Sequence, residues 1–225
     1  SLLTFLVAIP SGVKVFNWVA TLYKGSITPG VPLLFVMMFI FLFAIGGLTG
    51  LVLGALSTDV HLHDTYFVPG HFHYVMFGGT MMIFFAAIHY WFPKMFGKMY
   101  NEKASKWSIG IMFVGFNMLY FPMYILGYMG MPRRYYDYLP EFADLHIVAT
   151  VGSWVLISGM IIMAANLFIS LAKGKKAERN PWGGITQERK VPSPPPHENF
   201  EKIPVVTHGA YDYEYYEKKK KKVES

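Results

Sequence analysis

Five stretches of this chain, at roughly 1–23, 31–56, 70–93, 107–131 and 144–172, are long and apolar enough to cross a bilayer. A spanning helix needs about 20 predominantly apolar residues. This one feature excludes an ordinary soluble domain and predicts an all-α fold, an integral membrane bundle of about five helices within residues 1–173. The composition agrees, with 53% apolar and 17% aromatic residues against 15% charged. Short connections predict that successive helices pack as antiparallel neighbours.

Charge is distributed unevenly around these spans. Lys24 follows the first; Lys94, Lys98, Lys103 and Lys106 follow the third; Lys173, Lys175, Lys176 and Arg179 follow the fifth. The loops after the second and fourth spans carry only Arg133 and Arg134. The positive-inside rule then places the Lys-rich loops on the cytoplasmic (or organellar matrix) side, and 57–69 and 132–143 outside. The net charge of +6 is therefore an orientation signal and gives no reason to expect a nucleic-acid partner. The chain has no cysteine, which excludes disulfides, iron–sulfur ligation and thiolate copper sites within it. It starts at Ser1 with no basic segment ahead of the first apolar run, which reads as a truncated or processed start without a visible secretory signal. Residues 174–225 form a polar, Pro-rich tail, with "NPWGG", "VPSPPPHENF" and "YDYEYYEKKKKK". That composition predicts an extended cytoplasmic segment, disordered at its end, with five lysines at 218–222 near anionic lipid or water.

Within the first span lies "AIPSGVKVFNW". Lys14 sits about nine residues before the helix end, or roughly 14 Å deep. A charge at such depth costs about 2.5–3.5 kcal/mol on insertion scales. Ser11 is one turn earlier on the same face and can hold a water. The pair reads either as part of a proton-conducting path or as a tilted helix with Lys14 near the headgroups.

The string "HDTYFVPGHFHYV" opens the third span. Pro69 and Gly70 suit a helix start, which predicts that the helix begins near His71. Residues i and i+2 on a helix diverge by roughly 200°. His71 and His73 therefore cannot readily share one metal ion but can serve two cofactors on opposite flanks. Imidazole is the common axial ligand of haem iron, so a helix between two haems is one reading. Two ordinary hydrogen-bonded histidines are the other. His63 and Asp64, in the preceding loop, could hold a divalent cation with outside ligands or make a surface hydrogen bond. His61 and Asp59 are further candidates there. Arg133 and Arg134, in "GMPRRYYDY", suit carboxylates or phosphates, haem propionates included, or else lipid headgroups or Asp137.

The strings "AIPSGVKVFNW", "FLFAIGGLTGLVL", "HDTYFVPGHFHYV", "IMFVGFNMLYFP", "GMPRRYYDY" and "PSPPPHENF" occur in one order along residues 5–200. In these the chain resembles the C-terminal part of subunit 1 of the haem–copper cytochrome c oxidases, from within the eighth helix of that twelve-helix subunit onward. The resemblance implies His71 as axial ligand of the high-spin haem and His73 as axial ligand of the low-spin haem. It implies His63 and Asp64 as a magnesium or manganese pair, Lys14 and Ser11 as the polar pair of the K proton channel, and Arg133, Arg134 and Asp59 as residues of the propionate region. Ser11 stands where the family usually has Thr, and "VPG" replaces the commoner "VVA". The copper B ligands, the cross-linked Tyr and the second low-spin haem ligand of the family precede residue 1, so this chain alone cannot build the binuclear centre.

What the resemblance implies is a proton-pumping oxidase. Electrons pass from cytochrome c through two haems, expected to be haem A, to reduce O2 to water. The implied partners are the N-terminal part of subunit 1, subunit 2 with its dinuclear copper, subunit 3, cytochrome c and the lipid bilayer. The expected location is a bacterial-type plasma membrane, ahead of the mitochondrial inner membrane. A quinol oxidase of the same superfamily is the nearest rival, and a non-enzymatic membrane scaffold or transporter is the rival of another class. Nitric oxide reductases are disfavoured by the Lys14 and "MPRR" strings.

Overall fold

Five helices of the computed structural model are long and apolar enough to span a membrane: Leu2–Leu22, Val31–Gly54, Phe67–Phe96, Glu102–Tyr128 and Pro140–Lys173. The structure describes residues 2–25, 27–200, 202–207, 209 and 211–214. In chain order the elements are α1 (Leu2–Leu22), α2 (Val31–Gly54), α3 (Leu56–Leu62), α4 (Phe67–Val75), a π-helical turn (Met76–Met81), α5 (Met82–Phe96), β1 (Lys98–Met99), α6 (Glu102–Tyr128), a 3-10 turn (Pro140–Phe142), α7 (Ala143–Lys173), β2 (Lys175–Lys176) and α8 (Gln187–Lys190). The chain divides into two units, 1–88 with 102–166 and 89–101 with 167–225.

In the first unit α2, α4 and α6 pack on one another. Their contacts run through glycines. A Cβ built at Gly46 would lie 3.0 Å from the backbone of Tyr74 and Val75, so α2 and α4 touch almost backbone to backbone. Gly127 brings α6 still closer against Phe67 at the head of α4. Small residues of this kind are how membrane helices gain close packing where no hydrophobic force drives association. Tyr74, Phe35, Leu42, Met112 and Phe116 fill the centre and are fully buried. The helix α7 closes on α6 at Gly152 and Gly159, and Asn166 donates to Ser105 Oγ across the pair at 2.9 Å. The outlying α1 rests on α2 through Trp18, edge-on to Phe39 at 5.0 Å, and none of its residues is buried.

Several boundaries differ from the sequence expectation. The third span starts at Phe67, not near His71, because Pro69 lacks only an N–H that the first turn leaves unused anyway. The fourth starts at Glu102: an acid favours a helix N-terminus, and Glu102 pairs with Lys106 one turn on at 2.9 Å. The supposed loop 57–69 holds α3, so Asp59 and His61 are helical, with Asp59 in the first turn where the helix dipole favours it.

The second unit corrects the picture of the tail. Lys175–Lys176 pair antiparallel with Lys98–Met99. The Lys98 ammonium donates to the carbonyls of Leu171 and Ala172, capping the end of α7. Ile185, Arg189 and Val191 are buried, and the Arg189 guanidinium lies over the Tyr90 ring at 4.1 Å. The Lys94 ammonium donates to the carbonyls of Arg179 and Val191. The Pro-rich composition suppresses helix, yet these long side chains supply the packing that an apolar count misses. The expected disorder at the extreme end and the lysines at 218–222 lie outside the described residues.

Candidate functional site

The helix α4 carries His71 and His73 on opposite sides, and each side meets a different neighbour. His71 faces α2. Its Nδ1–H donates to the Gly46 carbonyl at 2.9 Å, with Thr49 Oγ1 at 3.3 Å from the same nitrogen. A Cβ built at Gly50 would fall 2.9 Å from His71 Cε1, so only glycine there leaves room for the ring. His73 faces α6. Its Nδ1–H donates to the Pro69 carbonyl, one turn back in its own helix, at 2.7 Å. Its ring stacks on Tyr120 at 4.3 Å and 17°.

A backbone carbonyl only accepts, so each Nδ1 carries the proton and each Nε2 keeps its lone pair. Metal-ligating histidines have this arrangement, with the second nitrogen spent on a carbonyl or carboxylate that fixes tautomer and ring orientation. Both residues fit an axial role toward haem iron. On the His71 flank a cavity of about 490 Å³ opens between α1, α2 and α4. Its walls include Val7, Phe43, Gly47, Gly50, Ser11 and His71, apolar apart from a few groups. A mostly apolar cleft with few polar anchors suits a large planar ligand.

The first unit brings Ser11 to the wall of the cavity that His71 also lines. The Ser11 hydroxyl donates to the Val7 carbonyl at 2.9 Å. Lys14, one turn further along α1, is exposed and is not part of that wall.

The remaining candidates collect near the head of α4. Arg133 N–H donates to the Asp64 carbonyl at 2.8 Å, Tyr66 N–H to the Met131 carbonyl at 3.0 Å, and Thr65 bridges to Pro132. This zips the segment after α3 to the segment after α6. His63 then lies 4.0 Å from Asp59 and 3.8 Å from Asp64, and Arg134 lies 3.9 Å from Asp64. His63, Asp64 and Arg134 are largely solvent-exposed and Asp59 is half-buried, so these pairs contribute little stability. The Arg133 guanidinium sits over Phe72, between the two histidines in sequence, at 5.7 Å from the ring centre. Arg134 pairs with Asp64; the Asp137 carboxylate instead accepts the Tyr138 N–H. Among the described residues no three His, Asp or Glu are grouped to hold a metal ion. A hard divalent cation at His63 and Asp64 would therefore need oxygen ligands from elsewhere.

Sequence reasoning missed Gly46, Thr49, Gly50 and Tyr120, which contact the two imidazoles, and Tyr124, which bonds to Thr49. The signal was present in "GGLTG": small residues interrupting an apolar span mark a close helix approach. The π-helical turn just after His73 was also missed, and such turns concentrate at functional sites.

Comparison with known proteins follows the same residues. The family model described as cytochrome c and quinol oxidase polypeptide I matches residues 1–155. Cytochrome c oxidase subunit 1 of Synechocystis sp. is 46% identical over 210 residues, covering 93% of this chain and 38% of that protein. The namesake subunit of Cereibacter sphaeroides is 41% identical over 204 residues, covering 89% of this chain and 36% of that one. A cryo-EM structure of a haem–copper terminal oxidase dimer superposes with a TM-score of 0.70 at 26% identity, covering 79% of this chain and 37% of that one. The chain thus spans a little over a third of the length of these relatives.

Proposed function

This chain belongs to the cytochrome c and quinol oxidase polypeptide I family, and we propose that it forms the C-terminal portion of the catalytic subunit of a terminal oxidase. The observation that carries the reading is the pair of opposed histidines on α4, each with Nδ1–H held by a backbone carbonyl. The subunit's overall reaction is the reduction of O2 to water by electrons from cytochrome c, coupled to proton translocation. When bound, the two haems, haem A in this reading, supply one-electron carriers and an oxygen-binding iron.

The chain's own residues then have these tasks. His71 and His73, with their Nε2 lone pairs free on either side of α4, would each hold one haem iron. Arg133 and Arg134 give the propionates counter-charges, with Asp59 beside them. His63 and Asp64 supply part of the shell of a magnesium or manganese ion. Ser11 and Lys14 pass protons toward the His71 cavity. Copper B is held by the N-terminal part of the subunit, outside this chain. Subunits 2 and 3 complete the assembly, with the dinuclear copper in subunit 2. The membrane is a bacterial-type plasma membrane, with the Lys-rich loops on its cytoplasmic side.

A reduced-minus-oxidised visible spectrum of the purified complex tests this reading. Two haem signals are expected, one low-spin and one high-spin, with only the high-spin one moved by carbon monoxide. A preparation with no haem signal would leave the scaffold or transporter reading in its place. Turnover with a quinol and none with cytochrome c would reassign the donor.

A further inference from the structure

We propose that Tyr124 and Thr49 form a hydroxyl relay behind His71 that sets how strongly its imidazole donates to iron, making both of them positioning residues. The inference rests on the reading of His71 as a haem ligand. Three helices contribute: Thr49 from α2, His71 from α4 and Tyr124 from α6.

The proton count fixes the direction of every bond. The Gly46 carbonyl, which lies inside α2, receives both Thr49 Oγ–H at 2.9 Å and His71 Nδ1–H at 2.9 Å. Thr49 has a single hydroxyl proton and spends it on Gly46. Its oxygen is therefore an acceptor toward Tyr124, whose O–H donates at 3.1 Å. The result is a chain, Tyr124 to Thr49 to Gly46, ending on the carbonyl that also holds the imidazole. Donation from Tyr124 polarises the Thr49 hydroxyl and makes it the stronger donor, as in any linked hydrogen-bond chain. Stronger competition at the shared carbonyl leaves the His71 Nδ1–H less fully engaged. A less engaged Nδ1–H means a less basic Nε2, because the partner of the far nitrogen raises ligand basicity.

Packing keeps the relay in place. The Tyr124 ring meets Phe67 edge-on at 4.9 Å and lies 5.3 Å from Tyr74. A Cβ at Gly70 would come within 3.1 Å of its Cδ1, so the ring lies flush against the α4 backbone. His73 has no such chain on its own carbonyl partner: among the described side-chain hydrogen bonds the Pro69 carbonyl receives the His73 Nδ1–H and no hydroxyl. The two haem ligands would thus differ in tuning as well as in flank.

The test is resonance Raman spectroscopy of the reduced full complex, reading the iron–histidine stretching band of the high-spin haem, with redox titration of both haems. Tyr124→Phe removes one oxygen atom and keeps the packing; Thr49→Val removes the middle hydroxyl. Both should raise the stretching frequency and lower the high-spin midpoint potential, while leaving the low-spin haem unchanged. The double variant should match Thr49→Val alone, since Tyr124 acts only through Thr49. An unmoved band in both single variants, or a further shift on adding Tyr124→Phe to Thr49→Val, would overturn the relay. A band that survives His71→Asn would overturn the ligand assignment itself, and the relay with it, which keeps the two failures apart.

Discussion

Lys14 and Ser11 lie one turn apart on α1, but only Ser11 reaches the wall that His71 shares. A proton path through both therefore requires the Lys14 amine to work from outside the cavity, delivering to it past Ser11. Lys14→Met should slow turnover of the complex by roughly 100-fold, the lower end of what a positioned proton-transfer group contributes. Its visible spectrum should stay that of the parent, since Lys14 touches neither histidine. Unchanged turnover would remove Lys14 from the path. At this scale the sequence was informative where one helix decides the geometry. Turning about 100° per residue is enough to set His71 and His73 apart. It was silent on Tyr120, Thr49 and Tyr124, whose roles depend on which helices become neighbours, and no periodicity within one span carries that.

Among elements, the five spans were legible because a run of apolar residues has few other fates. Their ends were less so. Hydropathy finds the apolar part of a helix, while Glu102, Lys106 and Phe67 extend real helices into polar surroundings. The seven-residue α3 was hidden between two spans, too short to show a period. The π-helical turn needs Gly78 and Gly79 to let Leu42 and Phe43 approach; a Cβ at Gly78 would sit 2.9 Å from Leu42 Cβ. The α4–α6 contact at Gly127 is tighter still. Gly127→Ala should therefore destabilise the complex by about 1–3 kcal/mol, the usual cost of overpacking a close contact. The measurement is thermal melting of the detergent-solubilised complex. An unshifted melt would mean that α4 and α6 do not meet as closely as the backbone of Phe67 demands.

For the whole molecule, partial length is the governing fact. The chain covers 38% of the Synechocystis relative, and its α1 buries no residue against the rest. That uncovered apolar helix is where the helices of the N-terminal part of the subunit are proposed to dock. The tail was the least legible region. Its turn-like, Pro-rich composition concealed a small packed unit built on Tyr90, Trp182 and Arg189, because a single buried guanidinium over a ring leaves no statistical trace in the sequence. Everything proposed for the whole rests on α4 as a divider between two haem sites. The most direct measurement is the visible spectrum of the complex carrying His73→Asn. The low-spin signal should vanish while the high-spin haem, held by His71, stays and still responds to carbon monoxide. Loss of the high-spin signal with the low-spin one retained would show that the flanks are assigned in reverse, and an unaltered spectrum would contradict the two-haem account altogether.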